Sequence, residues 1–408
     1  MDSFIRKGYK PAKNEIVAHF SVKKSEKLSF EECLDSIARE SSIGTWTELI
    51  TLEKKIAQKL GPKIFDFNKN TGKASIAYPI ELFEKGNLPQ FWSGICGNIY
   101  GMSDVQALRL EDVDFPKEYV KSFKGPKHGI EGVRKKLKVK NRPLIGTIVK
   151  PKVGLNEKGH AKCAYEAWLG GCDIVKDDEN LTSMKFNNFK KRISLTLKML
   201  EKAERETGEK KAYMPNVTAE TFEMLKRAKF VKECNGTHAM IDIVAAGLSS
   251  LQTLRNQEFG LIIHAHRAGH AAFTRNKEHG ISMLVLAKIS RLAGADQLHV
   301  GAVFGKMEGG ESEVKTIVQA LKEKGPLKSV FPVASGGLYP SKVPPLVNAL
   351  GKDIIIQSGG GIHGHPQGTI KGAMAMRQAL EAALKGIPLE EFAVKHKELA
   401  VALKKWGK

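Results

Sequence analysis

The stretch GGCDIVKDDEN, Gly170 to Asn180, ends a short apolar run with a lysine and three consecutive acids, and a cluster of that kind can do chemistry. If Asp173–Lys176 is a buried parallel strand, the side chains of Lys176 and Asp178 point the same way, and Glu179 sits one step further into the loop. Such a pair of carboxylates suits a hard cation, yet it makes only part of the shell of about six ligands that Mg²⁺ takes. A neighbouring ammonium would repel the metal, so Lys176 must change its charge for the site to work. Reaction of the neutral amine with CO2 gives an anionic, bidentate carbamate that supplies the missing oxygen. A buried Lys–Asp ion pair fits the same residues, because structural ion pairs mimic site chemistry.

The elements that must position this cluster show after Arg142, where short β-rich runs alternate with amphipathic helical stretches. The runs are RPLIGTIVK, CDIVK, KAYMPNV, HAMIDIV, GLIIHAH, DQLHVG, VFPVAS and DIIIQS, which makes eight strands. The pattern predicts an α/β fold whose C-terminal part is a closed (β/α)8 TIM barrel, with functional residues at the carboxyl ends of the strands. The polar residues fall there: Lys150 and Lys152 after the first strand, Lys176, Asp178 and Glu179 after the second, His264, His266 and Arg267 at the fifth, His299 at the sixth.

The last two strands end in glycines, ASGG (Ala334–Gly337) and QSGGG (Gln357–Gly361). Loops at these two barrel positions commonly hold phosphate, because glycine lets backbone N–H groups approach an anion. A lone glycine run is more often a plain turn, but two at these two positions favour phosphate. Arg267 and His299 are expected on the far side of the ring, where they could hold a second anion, so that a bisphosphate would bridge the mouth. GAVFGKMEGGE (Gly301–Glu311) sets Lys306 between glycines, as a closing lid requires; a solvent-exposed loop lysine is the plainer reading of the segment alone, and its position beside the other residues reverses that preference.

Ahead of the barrel, residues 17–116 mix an alternating run near IVAHFSV, a helical pattern in FEECLDSIARESS and a strand-like ASIAYPIELF. This predicts a smaller α+β domain over residues 1–125, with the barrel and its C-terminal helices over residues 126–408. Lys+Arg 65 against Asp+Glu 44 gives a net charge of +21, but the basic residues are spread along polar helix faces without aromatic interleaving. No nucleic-acid partner is expected. There is no apolar run long enough for a membrane span, and no apolar core follows the basic residues of MDSFIRKGYKPAKNE, so a cytoplasmic enzyme is expected. Five cysteines without CxxC spacing signal neither a zinc site nor a disulfide framework.

Taken in order, KPKVGL, GGCDIVKDDEN, HAHRAGH, HVGAVFGK, ASGG and QSGGGIHGHP, with ESSIGTWTE and GNIYGM before them, resemble the large subunit of ribulose-1,5-bisphosphate carboxylase/oxygenase, RuBisCO. The resemblance spans nearly the whole chain and is similar to the archaeal form III type, which works without a small subunit. It implies carboxylation of ribulose-1,5-bisphosphate by CO2 to two 3-phosphoglycerates, with O2 competing; a RuBisCO-like enolase or isomerase of a related sugar phosphate is the alternative. It further implies that Lys176 is carbamylated and binds Mg²⁺ with Asp178 and Glu179. Lys150 would act as acid/base, supported by Lys152, with His266 assisting proton transfer and Lys306 stabilising the new carboxylate. Thr45, Trp46, Gly337, Gly359 and Gly360 would hold one phosphate, Arg267 and His299 the other, and Ser335 a substrate hydroxyl. Glu40, Thr45, Trp46 and Asn98 would complete the site of a partner subunit, which implies an obligate homodimer or an assembly of dimers. Many relatives carry Thr where this chain has Ile148, so one substrate hydrogen bond is missing from the pattern.

Overall fold

In the computed structural model, which describes residues 3–304 and 310–407, contacts divide the chain into two units. The first comprises Met1–Lys124, Gly269–Ala293 and Gly325–Leu327, and the second the remainder. In the first unit, β1 (Glu15–Lys24), β2 (Lys63–Asn68), β3 (Lys73–Pro79) and β4 (Val105–Asp114) pair antiparallel in the order β4-β1-β3-β2. The helix Phe30–Glu40 begins at a capping box, in which Ser29 and Glu32 satisfy each other's backbone N–H groups, and buries Cys33, Leu34, Ile37 and Ala38.

The apolar runs of the second unit become β5 (Leu144–Ile148), β6 (Ile174–Lys176), β7 (Ala212–Met214), β8 (His238–Asp242) and β9 (Ile262–His266). The two-residue β10 (Gly280–Ile281) returns to the first unit and pairs in parallel with β4. The barrel resumes with β11 (Gln297–His299), β12 (Phe331–Ser335) and β13 (Ile355–Gln357). Its sheet runs β7-β6-β5-β13-β12-β11-β9-β8, all parallel, and an Asn216–Met240 bridge joins the ends into a ring. The predicted eight-stranded barrel is therefore present, strand for strand.

Why the chemistry sits at one end follows from what fills the other. Leu144, Ile174, Ala212, Ile262, Phe331 and Ile355, each at the start of its strand, form one buried cluster with Val133 and Leu137 of the helix Gly129–Leu137. That helix plugs the amino-terminal mouth. Asp296, fully buried before β11, fastens it by accepting the N–H groups of His128 and Gly129 at 2.6 and 2.9 Å, while also pairing with Arg255. Apolar side chains thus close the barrel interior at this end and leave the carboxyl ends as its open mouth. No helix among them is long and apolar enough to cross a membrane.

Candidate functional site

Strand alternation does at β6 what the spacing predicts: Lys176 points into the barrel, Asp177 away from it, and Asp178 back toward the mouth. Lys176 is fully buried, with Nζ 2.8 Å from the Asp177 carbonyl, 3.3 Å from Met240 Sδ and 3.7 Å from Glu179 Oε2. Burial drives its pKa below the ordinary lysine value, and the pull of Glu179, Asp178 and Asp242 in the other direction does not cancel this. An amine that leans toward neutrality is the form that reacts with CO2.

Asp177 does structural work. Its carboxylate accepts the Tyr213 hydroxyl at 2.6 Å, the Asn216 N–H at 2.9 Å and Arg192 Nε at 3.2 Å. Burial alone would raise its pKa, but the Arg192 guanidinium, His160 at 3.0 Å and the Tyr213 hydroxyl hold it well below the usual carboxylate range. Asn216 in turn donates Nδ2–H to the Glu179 carbonyl at 3.0 Å. Lys176 and Glu179 are thus both tied to this hidden network.

At the mouth, Lys150 from the loop after β5 reaches Asp178 Oδ2 at 2.7 Å. Burial raises the Asp178 pKa, yet the Lys150 hydrogen bond and charge lower it further than burial lifts it. Glu179 lies 3.7 Å from His266 Nε2, and His266 Nδ1 contacts Asp242 Oδ1 at 2.9 Å. Burial, then the Lys176 charge, lowers the His266 pKa, so the ring is held ready to accept a proton. Lys152 is exposed on the Lys150 loop, and Lys306 lies outside the described residues.

Among the described residues no three His, Cys, Asp or Glu side chains are arranged to hold a metal ion. Asp178 and Glu179 are two carboxylates in need of further oxygen donors, and Lys176 Nζ lies 3.7 Å from Glu179 Oε2. The donor chemistry fits Mg²⁺ if that lysine carries an anionic oxygen group.

The anion-site readings fare differently. Gly336 and Gly337 after β12 adopt φ of 114° and 71°, so this turn needs glycine. A Cβ on Gly359 would come within 3.0 Å of Lys150 Cε, so that glycine makes room for the lysine; Gly360 is exposed beside it. The expectation that His299 lies across the ring from these loops is wrong. β11 is the direct neighbour of β12, and His299 Nδ1 is 2.7 Å from Ser335 Oγ. Its Nε2 is 2.8 Å from His264 Nε2, so both ring nitrogens are engaged within the protein. Arg267 follows β9, one strand further round; burial lowers its pKa to about 10. A Cβ on Gly301 would meet Arg267 Nη2 at 2.7 Å.

The family models for the ribulose bisphosphate carboxylase large chain match in both parts, the N-terminal domain over residues 3–119 and the catalytic domain over residues 129–406. This chain belongs to the RuBisCO large-chain family. The ribulose bisphosphate carboxylase of Methanocaldococcus jannaschii is 51% identical and that of Methanosarcina mazei 50%, each over 99% of both chains. Among solved structures, the octameric RuBisCO of Pyrococcus horikoshii matches with a TM-score of 0.95 at 45% identity, over 99% of this chain and 96% of that one. The dimeric archaeal RuBisCO of Hyperthermus butylicus gives 0.93 at 44%, over 99% and 98%.

Of the remaining residues that the RuBisCO motifs single out, four lie in the first unit. Asn98 Nδ2 donates to Glu40 Oε1 at 3.0 Å, Thr45 is half-buried, and Trp46 is 90% exposed. Asp242, Tyr213, Arg192, Asn216 and Gln297 contact candidate residues, or Asp177 between them, without having been read from the sequence. Asp242 carried a usable signal, an acid at the end of the apolar run HAMID; the others are single polar residues whose partners lie on other strands.

Proposed function

We propose that this protein carboxylates ribulose-1,5-bisphosphate, converting it with CO2 and water to two 3-phosphoglycerates, with O2 competing for the same carbon. The observation that carries the reading is Lys176: a fully buried lysine whose ammonium form burial disfavours, 3.7 Å from one acid and beside a second that is ion-paired to Lys150. Addition of CO2 to the neutral Nζ forms an N–C bond and releases one proton, leaving an anionic carbamate. That carbamate, Asp178 and Glu179 would hold Mg²⁺. When bound, the cation would polarise the substrate's oxygens and favour the enediolate.

The chain's own groups then divide the work. Lys150, 2.7 Å from Asp178, moves the proton at the substrate carbon and returns one after C–C cleavage, with Lys152 in support. His266, oriented by Asp242, assists proton transfer, and Lys306 neutralises the carboxylate formed when CO2 adds. Gly337, Gly359 and Gly360, with Thr45 and Trp46, hold one phosphate; Arg267 holds the other, with His299 beside it keeping its ring nitrogens on His264 and Ser335. Glu40, Thr45, Trp46 and Asn98 act in the site of a second copy of the chain, so the working unit is a homodimer or an assembly of dimers.

The test is an assay of purified protein with ribulose-1,5-bisphosphate, Mg²⁺ and labelled bicarbonate. Label in 3-phosphoglycerate is expected. Exchange of the C3 proton with solvent and no 3-phosphoglycerate would overturn the carboxylase reading in favour of an enolase or isomerase.

A further inference from the structure

Four side chains form an unbroken line from the barrel interior to its mouth. Gln297 Oε1 is 2.9 Å from His264 Nδ1, His264 Nε2 is 2.8 Å from His299 Nε2, and His299 Nδ1 is 2.7 Å from Ser335 Oγ. Gln297 and His264 are fully buried and His299 is 3% exposed, so water does not offer these groups alternative partners from outside. Ser335, at the end of β12, is the one member with substantial access to the mouth.

The proton arrangement along this line has two solutions, and one group chooses between them. Burial holds both imidazoles well below the usual histidine range, so each is neutral and carries a single N–H. A carbonyl oxygen only accepts. With Gln297 Oε1 facing it, His264 must carry its proton on Nδ1, which leaves Nε2 bare to accept from His299 Nε2–H. His299 Nδ1 is then bare and accepts the Ser335 hydroxyl. Were the amide turned to present Nε2–H, every bond in the line would reverse, and Ser335 would be left with its hydrogen free. Gln297 Nε2 has no hydrogen-bond partner among the described residues, so the amide joins the line through Oε1 alone.

We propose that Gln297 is a positioning residue that sets the proton direction along the line Gln297–His264–His299–Ser335, so that Ser335 meets the substrate as a hydrogen-bond acceptor. The group selected at Ser335 is therefore a donor, a hydroxyl rather than a carbonyl or an ionised oxygen. The identity of that hydroxyl as one on the sugar bisphosphate rests on the carboxylase reading; the proton arrangement does not.

Neutron diffraction from crystals of the deuterated full chain reads the arrangement directly. Deuterium is expected on His264 Nδ1, on His299 Nε2 and on Ser335 Oγ in the direction of His299. The opposite tautomers, or a doubly protonated ring, would overturn the proposal. The Gln297→Met variant keeps the volume and removes both hydrogen-bonding ends, and the same diffraction experiment verifies its fold. It should lose the single tautomer at His264 and His299. The KM for ribulose-1,5-bisphosphate should rise about 10-fold while kcat stays within about 2-fold, as for loss of one oriented hydrogen bond used in binding. Unchanged tautomers or an unchanged KM would sink the assignment. In a Ser335→Ala background the same substitution should change KM no further; a full additional effect would show that Gln297 does not act through Ser335. If the protein turns over no ribulose-1,5-bisphosphate, the carboxylase reading fails, while the deuterium positions still decide the line.

Discussion

Replacing Asp177 by Asn should damage both stability and the site, because this residue faces away from the mouth yet anchors two of the groups that line it. Asp177 and Arg192 both have side chains that are 0% exposed, 3.1 Å apart at their closest charged contact. Asn keeps the shape but removes the charge, so Arg192 is left buried without a counter-ion, and the new NH2 meets donors from Tyr213, Asn216 or Arg192. Breaking one partner of such a buried pair costs about 3–5 kcal/mol, against a total stability of roughly 5–15 kcal/mol for a folded domain. Urea unfolding followed by circular dichroism, with the labelled-bicarbonate assay run well below the transition, measures both effects. Residual activity should fall by more than the unfolded fraction explains, since the Asp177 carbonyl holds Lys176 and Asn216 holds Glu179. A loss under about 1 kcal/mol would refute the reasoning. So would an Asp177→Asn/Arg192→Met double variant no more stable than Asp177→Asn alone, because removing both charges should relieve the orphaned one. The pH dependence has a definite sign. The folded-state pKa of Asp177 lies below its unfolded value of about 3.9. Its stabilisation is therefore complete above roughly pH 4 and is lost as pH falls through the folded pKa. The Asn variant should lack this acid-side component.

Activity should require preincubation with CO2 and Mg²⁺, and a Lys176→Ala chain that retains full activity would remove the basis for the carbamate. Because burial lowers the Lys176 pKa, activation should gain with pH and level off below the ordinary lysine value of about 10.4; a midpoint at or above that value would contradict it. Mixing inactive Glu40→Ala and inactive Lys176→Ala chains should restore part of the activity if each site draws on two subunits, and no rescue in a verified mixed dimer would count against sharing. Lys306→Ala should leave C3 deuterium exchange intact while labelled CO2 incorporation drops by about 10²-fold or more, as for one lost transition-state charge contact; equal loss of both would assign Lys306 to substrate binding instead.

Much of this protein was determined by the sequence alone, through properties of the backbone. Eight apolar runs alternating with helical stretches specify a parallel barrel, since each strand is buried on both faces and each crossover needs a helix. The period of two along β6 puts Lys176 and Asp178 on one side before any partner is known. Polar residues at strand ends mark the mouth for the same local reason. What the tertiary structure alone decided is who meets whom across the ring. Lys150 reaches Asp178 because β5 and β6 are neighbours, and His299 contacts Ser335 because β11 and β12 are, which places His299 beside a glycine loop rather than across from it. Of the three consecutive acids, only the folded chain separates Asp177, enclosed by Tyr213, Arg192 and Asn216, from the two that face the mouth. Gln297 reads as one more polar residue in DQLHVG until β9 brings His264 against it. Local alternation is written in the spacing of residues along one strand, whereas hydrogen-bond partners depend on ring closure and strand order, which no single stretch of sequence contains.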